Sequence, residues 1–98
     1  MEENSHLEIE EKIKHILTSK LEVNPEILAT SSSDTPLLGR GIGLDSMETL
    51  SLVAAIEKEF DIEIEDDDLT VDLFKSIGTL AEYVLQKIQR IEKPLDRR

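Results

Sequence analysis

Residues 43–60 read GLDSMETLSLVAAIEKEF and contain the clearest helix signal in this 98-residue chain. Asp45 is followed three residues later by Glu48, the spacing of a capping box, in which each side chain bonds the other residue's backbone N–H. The pattern predicts a helix that has Asp45 as its N-cap and runs to Phe60. Four apolar residues lie within about 100° of one another on this helix, which is enough for one core-facing stripe: Leu52, Val53, Ile56 and Phe60.

The same predicted helix has a second apolar surface outside that stripe. Met47 and Ala54 lie more than about 100° from the middle of the stripe, and Leu50 lies between the two groups. One interpretation is that Met47 fills a gap in the core and that Ala54 only favours the helix. The other is a small apolar docking strip with an acidic rim, built for a partner's groove.

Two further amphipathic helices are predicted on either side of this one. Ser5 and the acid three residues after it have capping-box spacing, and apolar residues then recur at helical intervals, which predicts a first helix from Ser5 to Lys20. Ser76 is the expected cap of the last helix. Pro94 requires that this helix end at or before Lys93, because a residue preceding proline disfavours the helical conformation.

The segments between these helices are predicted to be mostly loop. In the long connector Leu21–Leu44, the sequence Asn24-Pro25-Glu26 combines an N-cap with proline at the first helical position and predicts one short turn. We interpret the glycine-rich stretch Gly39–Gly43 as a hinge that gives this connector slack. Residues 61–68 are predicted to be loop, and a brief third helix is expected near Asp66–Leu73.

Together these elements predict an all-α fold. It is a four-helix bundle of three longer helices and one short helix, with a long loop between the first and second helices. The domain is predicted to span residues 5–92, with short tails at 1–4 and 93–98. Apolar residues make up 39% of the chain but aromatic residues only 3%, which favours an aliphatic helical core over a β-sandwich or barrel.

The charge of the chain is concentrated in one segment. The net charge is −11, and residues 45–72 contain eleven acids and one base, so this segment alone contributes −10. Nucleic acids and anionic membranes would be repelled by such a surface, whereas basic protein partners would be attracted. The alternative is an acidic face that only confers solubility. No apolar run approaches the roughly 18 residues of a membrane span, and we expect a cytoplasmic protein that does not insert into membranes.

Ser46 has an unusual setting, directly behind an acidic cap and after a glycine-rich loop. A serine at a helix start most often serves only as a cap. A group attached to it by a phosphodiester would instead meet the free N–H groups and partial positive charge of the helix start. The chain has no cysteine, so it has no disulfide, no thiolate metal site and no thiol nucleophile of its own.

Other chemistries find little support in the sequence. The glycines at 39, 41 and 43 lack the spacing and the preceding strand of a dinucleotide-binding loop. Ser46 lacks the Gly-x-Ser-x-Gly elbow of a hydrolase, and His6 and His15 have no evident catalytic partner, so both are expected to face solvent. Residues 63–68 lack the pattern of a calcium loop. No catalytic residue and no specific metal site are therefore predicted.

The order of these features resembles that of the acyl carrier protein family, the four-helix phosphopantetheine-attachment domains. The resemblance covers roughly Ser5 to Ile91 and depends on Gly-Leu-Asp-Ser-Met at residues 43–47, the acidic second helix and the final helix that opens with Ser76-Ile77. It implies that a phosphopantetheinyl transferase attaches 4′-phosphopantetheine from coenzyme A to Ser46. The terminal thiol of this arm would then carry acyl groups as thioesters, which would supply the thiol chemistry that the chain lacks.

The resemblance also implies which residues recognise partners. These are three acids and three apolar residues of the second helix region: Asp45, Glu48, Glu57, Met47, Leu50 and Ala54. The partners implied are the phosphopantetheinyl transferase and acyl-transferring, ketosynthase-type or ligase-type enzymes with basic docking surfaces, in fatty-acid, specialised lipid or polyketide biosynthesis. The protein itself would be a monomeric, non-catalytic carrier.

The chain departs from this family in three places. Ser51 and Lys58 stand where fatty-acid carriers often have acids, and Gly39–Gly43 lengthens the approach to Ser46, which favours a carrier of a specialised pathway. Two alternatives stay open. One is a peptidyl carrier of an amino-acid-activating assembly line, although such carriers usually have Gly-Gly-x-Ser at this position. The other is a cofactor-free acidic helical adaptor that binds a basic protein.

Overall fold

The computed structural model describes residues 6–92, which form an all-α fold and confirm the predicted fold class. Three long helices and one short helix are present, together with two turns of 3₁₀ helix between the last two α-helices. The α-helices are α1 (His6–Ser19), α2 (Pro25–Ala29), α3 (Ser46–Phe60) and α4 (Ile77–Glu92), and the 3₁₀ turns are Asp66–Asp68 and Val71–Phe74.

One aliphatic core holds the three long helices together, because α1 packs against both α4 and α3. The predicted stripe of α3 supplies Leu52 and Ile56, both fully buried, and Val53, which is nearly so. Phe60 packs against this core at its edge. The largest fully buried side chains are aliphatic, as the composition predicts: Ile9, Ile13, Leu17, Leu37, Leu52, Ile56, Ile77, Leu80 and Val84.

The start of α3 is the predicted capping box. Asp45 Oδ1 accepts a hydrogen bond from the Glu48 N–H at 2.8 Å, and Glu48 Oε1 accepts one from the Asp45 N–H at 3.1 Å. The helix ends at Phe60, where Asp61 adopts a left-handed conformation (φ 56°) and its N–H donates to the Glu57 carbonyl. Both predicted ends of this helix are therefore confirmed.

The start of α4 is capped both by its own sequence and by the connector. Ser76 Oγ accepts a hydrogen bond from the Thr79 N–H at 3.0 Å, as predicted. The Ser33 carbonyl also accepts from the Gly78 N–H at 2.8 Å, and the Thr35 carbonyl accepts from the Ile77 N–H. The expected cap of α1, Ser5, and the tails at 1–4 and 93–98 lie outside the described residues.

The short α-helix lies in the connector and not at Asp66–Leu73. The segment Asp66–Leu73 does not form one α-helix but is divided between the two 3₁₀ turns. Thr70, between the two turns, has an extended backbone (φ −121°, ψ 167°), which prevents one continuous helix. The short turn predicted at Asn24-Pro25-Glu26 is confirmed and forms the short helix α2, where Asn24 Oδ1 accepts from the Glu26 N–H at 2.8 Å and Pro25 occupies the first helical position.

The glycine-rich part of the connector is a closed, packed loop, so its interpretation as a slack hinge is wrong. The Ile42 N–H donates to the Pro36 carbonyl at 2.8 Å, and the Leu44 N–H donates to the Leu37 carbonyl at 2.9 Å. Ile42 is buried. Gly41 lies so close to Pro36 that a Cβ atom at this position would overlap the Pro36 carbonyl oxygen. The loop is thereby held at a fixed place beside the start of α3.

A hydrogen bond from α4 holds the first 3₁₀ turn. The Tyr83 hydroxyl donates to Asp68 Oδ2 at 2.6 Å, and burial, followed by this bond, raises the pKa of Tyr83 above its ordinary value. We expect the Tyr83→Phe variant to lose about 1 kcal/mol of unfolding free energy at neutral pH, because the bond is removed and little volume changes. Urea denaturation followed by circular dichroism measures this loss.

The pH dependence of the same variant gives a second measurement. Because the folded protein favours the neutral phenol, this stabilisation is complete below the unfolded pKa of tyrosine, about 10, and is lost as the pH rises above it. The stability curves of the wild type and Tyr83→Phe should therefore converge above that pH. Curves that stay superimposed from neutral pH upward would contradict a stabilising role for the hydrogen bond.

Candidate functional site

Ser46 is the first residue of α3, and its side chain is exposed. The N-cap position belongs to Asp45, whose carboxylate already accepts the Glu48 N–H. Within residues 6–92 the Ser46 hydroxyl makes no hydrogen bond. A serine that neither caps the helix nor takes part in another hydrogen bond is free to react with an external group, and the adjacent N–H groups of the helix start favour an anionic one.

A groove of about 550 Å³, called here the serine groove, opens beside Ser46. It is bounded by the connector, by α3 and by the segment that contains the two 3₁₀ turns. Most of its lining is apolar, with Leu44, Val53 and Phe74 buried and Leu50 and Val71 exposed. A chain attached to the Ser46 hydroxyl therefore has an apolar surface within immediate reach.

The outward face of α3 carries the second apolar surface that the sequence indicates. Met47 is 74% exposed, Leu50 is 59% exposed, and Ala54 is exposed one helical turn further on. These exposures rule out the interpretation of Met47 as a gap-filling core residue. The strip begins at the residue directly after Ser46, so a protein bound to it lies close to the serine.

The three acids expected to recognise partners are in different situations. Asp45 is exposed, although its carboxylate also caps α3. Glu48 is half-buried and completes the capping box. Glu57 is half-buried as well, and its Oε2 accepts a hydrogen bond from the Ile64 N–H at 2.8 Å, so it braces the acidic linker against α3. No lysine or arginine of the described chain lies within 4 Å of these carboxylates.

The two histidines are not equivalent, and the expectation that both face solvent is wrong for His6. His15 is exposed. His6 is half-buried between α1 and α4, with Nδ1 at 2.9 Å from Glu10 Oε2 and Nε2 at 3.1 Å from the Gly78 carbonyl oxygen. Glu10 is itself buried and accepts a hydrogen bond from the Ser33 hydroxyl at 2.6 Å. This network ties the connector to α1 and α4 and includes no residue of the serine groove.

Neither a metal cluster nor a membrane span is found in the described part of the chain. No three His, Asp or Glu side chains among residues 6–92 are grouped so that they could hold a metal ion. None of the helices in this range has the length and apolar character to cross a bilayer.

A family model described as "Phosphopantetheine attachment site" matches residues 11–84, a range that contains α3 and Ser46. Fold and sequence therefore define a carrier domain. The chain is also 30% identical to the acyl carrier proteins of three Clostridium perfringens strains (SM101, ATCC 13124 and 13). Each match extends over 80 residues, 82% of this chain and 97% of the relative. The chain belongs to the acyl carrier protein family, whose members are carriers and not catalysts.

Sequence reasoning placed Ser46 at the start of α3 and a second apolar surface on that helix, as the structure has them, but missed most of the serine groove. Leu38, Leu69 and Val71 line this groove. Leu38 comes from the predicted long connector, whereas Leu69 and Val71 come from the predicted brief third helix. The only signal for them was apolar character within otherwise polar segments. The contact between these segments arises from tertiary packing, in particular the hydrogen bond from the Leu37 N–H to the Phe74 carbonyl at 3.3 Å.

Proposed function

We propose that this protein carries acyl groups as thioesters on a 4′-phosphopantetheine arm attached to Ser46. The observation that supports this most strongly is the division of roles at the start of α3, where Asp45 caps the helix and leaves the Ser46 hydroxyl exposed and without a hydrogen bond in the described chain. The serine groove gives the arm or its acyl group an apolar surface next to the attachment point.

The attachment step would be a phosphoryl transfer from coenzyme A. The Ser46 oxygen forms a bond to the phosphorus on the pantetheine side of the diphosphate, and the bond between that phosphorus and the bridging oxygen breaks. Adenosine 3′,5′-bisphosphate leaves with the electron pair. The hydroxyl proton passes to a base of the phosphopantetheinyl transferase, which also supplies magnesium. This chain contributes the accessible oxygen and a docking surface.

Intact-protein mass spectrometry tests the proposal. The purified protein is incubated with a broad-specificity phosphopantetheinyl transferase, coenzyme A and magnesium, and we expect its mass to increase by one phosphopantetheine. An unchanged mass, under conditions in which a known carrier is fully modified, would contradict the proposal and favour a cofactor-free adaptor.

The partners we propose are the transferase and enzymes that transfer, condense or ligate acyl groups in fatty-acid, specialised lipid or polyketide biosynthesis, with the cytoplasm as the expected location. Basic side chains on these enzymes would surround the acidic start of α3, while the apolar strip of Met47, Leu50 and Ala54 provides the contact area. The carrier acts as a monomer that visits successive enzymes. Such docking should be modest in affinity and should weaken with salt, because exposed charges are screened.

Asp45 allows the charge contribution to be separated from the capping contribution. Replacement of Asp45 by lysine would remove both, whereas Asp45→Asn keeps a side chain that caps well and removes only the charge. We expect Asp45→Asn to lower kcat/KM of the transferase about threefold at low salt and to leave the melting temperature nearly unchanged.

The matched control for this variant is Glu11→Gln, which removes one exposed negative charge from α1, outside the serine groove. Its modification rate should equal that of the wild type. Modification rates that fall equally in both variants would show that only the net charge matters, and the docking role of Asp45 would then be wrong.

A further inference from the structure

A second groove lies between the end of α1 and the outward face of α3. It has a volume of about 520 Å³ and is called here the lysine groove. Ile16 and Leu21 supply apolar side chains from the α1 side, and α3 supplies the small side chains of Ser51, Ala54 and Ala55. Because these α3 side chains are short, the groove can admit side chains of another molecule.

The charge of this groove is opposite to that of its surroundings. Lys20 and Lys58 line it and are exposed, together with one acid, Glu59. Neither ammonium group has a carboxylate within 4 Å in residues 6–92. Lys58 is also the only base between residues 45 and 72, a segment with a net charge of −10. Two lysines and a single acid in one groove give it a positive charge on an otherwise acidic chain.

The lysine groove and Ser46 lie on the same helix. Ala54 is eight residues beyond Ser46, which corresponds to about 12 Å along the axis of α3. The outward face of α3 is therefore acidic at the Ser46 end, apolar in the middle and basic at the lysine groove. A partner with matching charges can dock on this face in only one direction without bringing like charges together.

Building on the proposed function, we infer that the lysine groove binds an acidic segment of a partner enzyme, one that places a carboxylate beside a small apolar side chain. The carboxylate pairs with Lys20 and Lys58, and the apolar side chain packs on Ala54 and Leu21. A polyanion such as a nucleic acid fits less well, because it would extend past the two lysines onto the acids of α3, of which Glu59 lines the groove itself. The pairing fixes the orientation of the enzyme relative to Ser46.

Two synthetic helical peptides of equal length and identical apolar residues can test this inference. One has lysines at one end and glutamates at the other, and the second has lysines at both ends. Each is added to the ¹⁵N-labelled protein, and the backbone amide signals are followed by NMR. We expect the mixed-charge peptide to shift the signals of residues 16–21 and 51–59, and the all-lysine peptide to shift mainly those near Asp45.

A charge reversal gives the decisive comparison. The double variant Lys20→Glu/Lys58→Glu should bind the mixed-charge peptide about fivefold more weakly than the wild type does and should bind the all-lysine peptide more tightly. The matched control Lys75→Glu/Arg90→Glu has the same net charge but changes exposed bases outside the groove. Its relative affinity for the two peptides should equal that of the wild type. Circular dichroism confirms that each variant is folded.

Several results would overturn the inference. These are the absence of shifts in residues 51–59 with either peptide, equal shifts there with both peptides, and equal behaviour of the two double variants. Inorganic phosphate that shifts residues 16–21 and 51–59 as strongly as the mixed-charge peptide would show a general anion site instead. The titrations use the protein without its arm, so their failure is distinct from a failure of Ser46 to be modified.

Discussion

The Ser46→Ala variant is expected to gain no mass when it is incubated with a phosphopantetheinyl transferase and coenzyme A, whereas the wild type is fully modified. The loss should be complete and not partial, because the hydroxyl oxygen is the atom that would form the new bond. The stability of the variant should stay within about 0.5 kcal/mol of the wild type, since the cap of α3 is Asp45 and the Ser46 side chain is exposed. Mass spectrometry and thermal unfolding measure the two effects.

Ser19→Ala is the matched control for this experiment. Ser19 is also an exposed serine of a long helix, but it lies at the end of α1 and lines neither groove. Its replacement should leave the modification complete. Two findings would contradict the assignment of Ser46: a mass gain that survives in Ser46→Ala, or a loss of modification that coincides with unfolding of that variant.

The Gly41→Ala variant is expected to destabilise the protein by about 2 kcal/mol, which corresponds to a decrease in melting temperature of roughly 8–16 °C for a domain of this size. The added methyl group would overlap the carbonyl oxygen of Pro36, the same oxygen that accepts the Ile42 N–H. The loop must therefore open, and the buried Ile42 side chain must move. Differential scanning calorimetry or urea denaturation gives the size of the loss.

Gly39→Ala separates this steric effect from the general cost of replacing a loop glycine. Gly39 has a positive φ of 64°, but a Cβ atom added to it would have no neighbouring atom within 4 Å, so its replacement should cost only about 1 kcal/mol of backbone strain. Equal losses of stability in the two variants would contradict the closed packing of the loop. If the loop also holds the approach to Ser46, Gly41→Ala should lower the rate of arm attachment, measured below its melting temperature.

The lengthened connector is a packed part of the site and not a flexible tether. The glycine-rich stretch before Ser46 suggests a flexible connector. A flexible connector would lose more conformational entropy each time a partner docks. Here the backbone bonds from Ile42 to Pro36 and from Leu44 to Leu37 close the loop before any partner is present. Leu38 and Leu44 then line the serine groove. The connector thus contributes a wall of the site as well as its covalent path to α3.

The helices were predictable because their signals are local. The Asp45 and Glu48 cap, the Ser76 cap and the apolar periodicity of the long helices each depend on residues within one or two turns of one another. The brief third helix forms only as two 3₁₀ turns, which local signals alone do not indicate. Local spacing near Asp66 permits a helix, but the 3₁₀ geometry that forms there also satisfies long-range contacts, such as that from Tyr83 to Asp68.

Local order along the chain determined where α3 begins, which serine stands at its first position, which residues of α3 face the core and where the negative charge is concentrated. Tertiary packing decided the rest: that Ser46 is left without a hydrogen bond among residues 6–92, that Glu57 braces the linker, that the glycine loop is closed, and that Lys20 and Lys58 share one groove. The physical reason is the distance in sequence between the residues that must meet. A cap or a helical stripe is completed within a few residues, whereas a groove forms only where segments distant in sequence are in contact. The local pattern of one sequence does not show which distant segments these are.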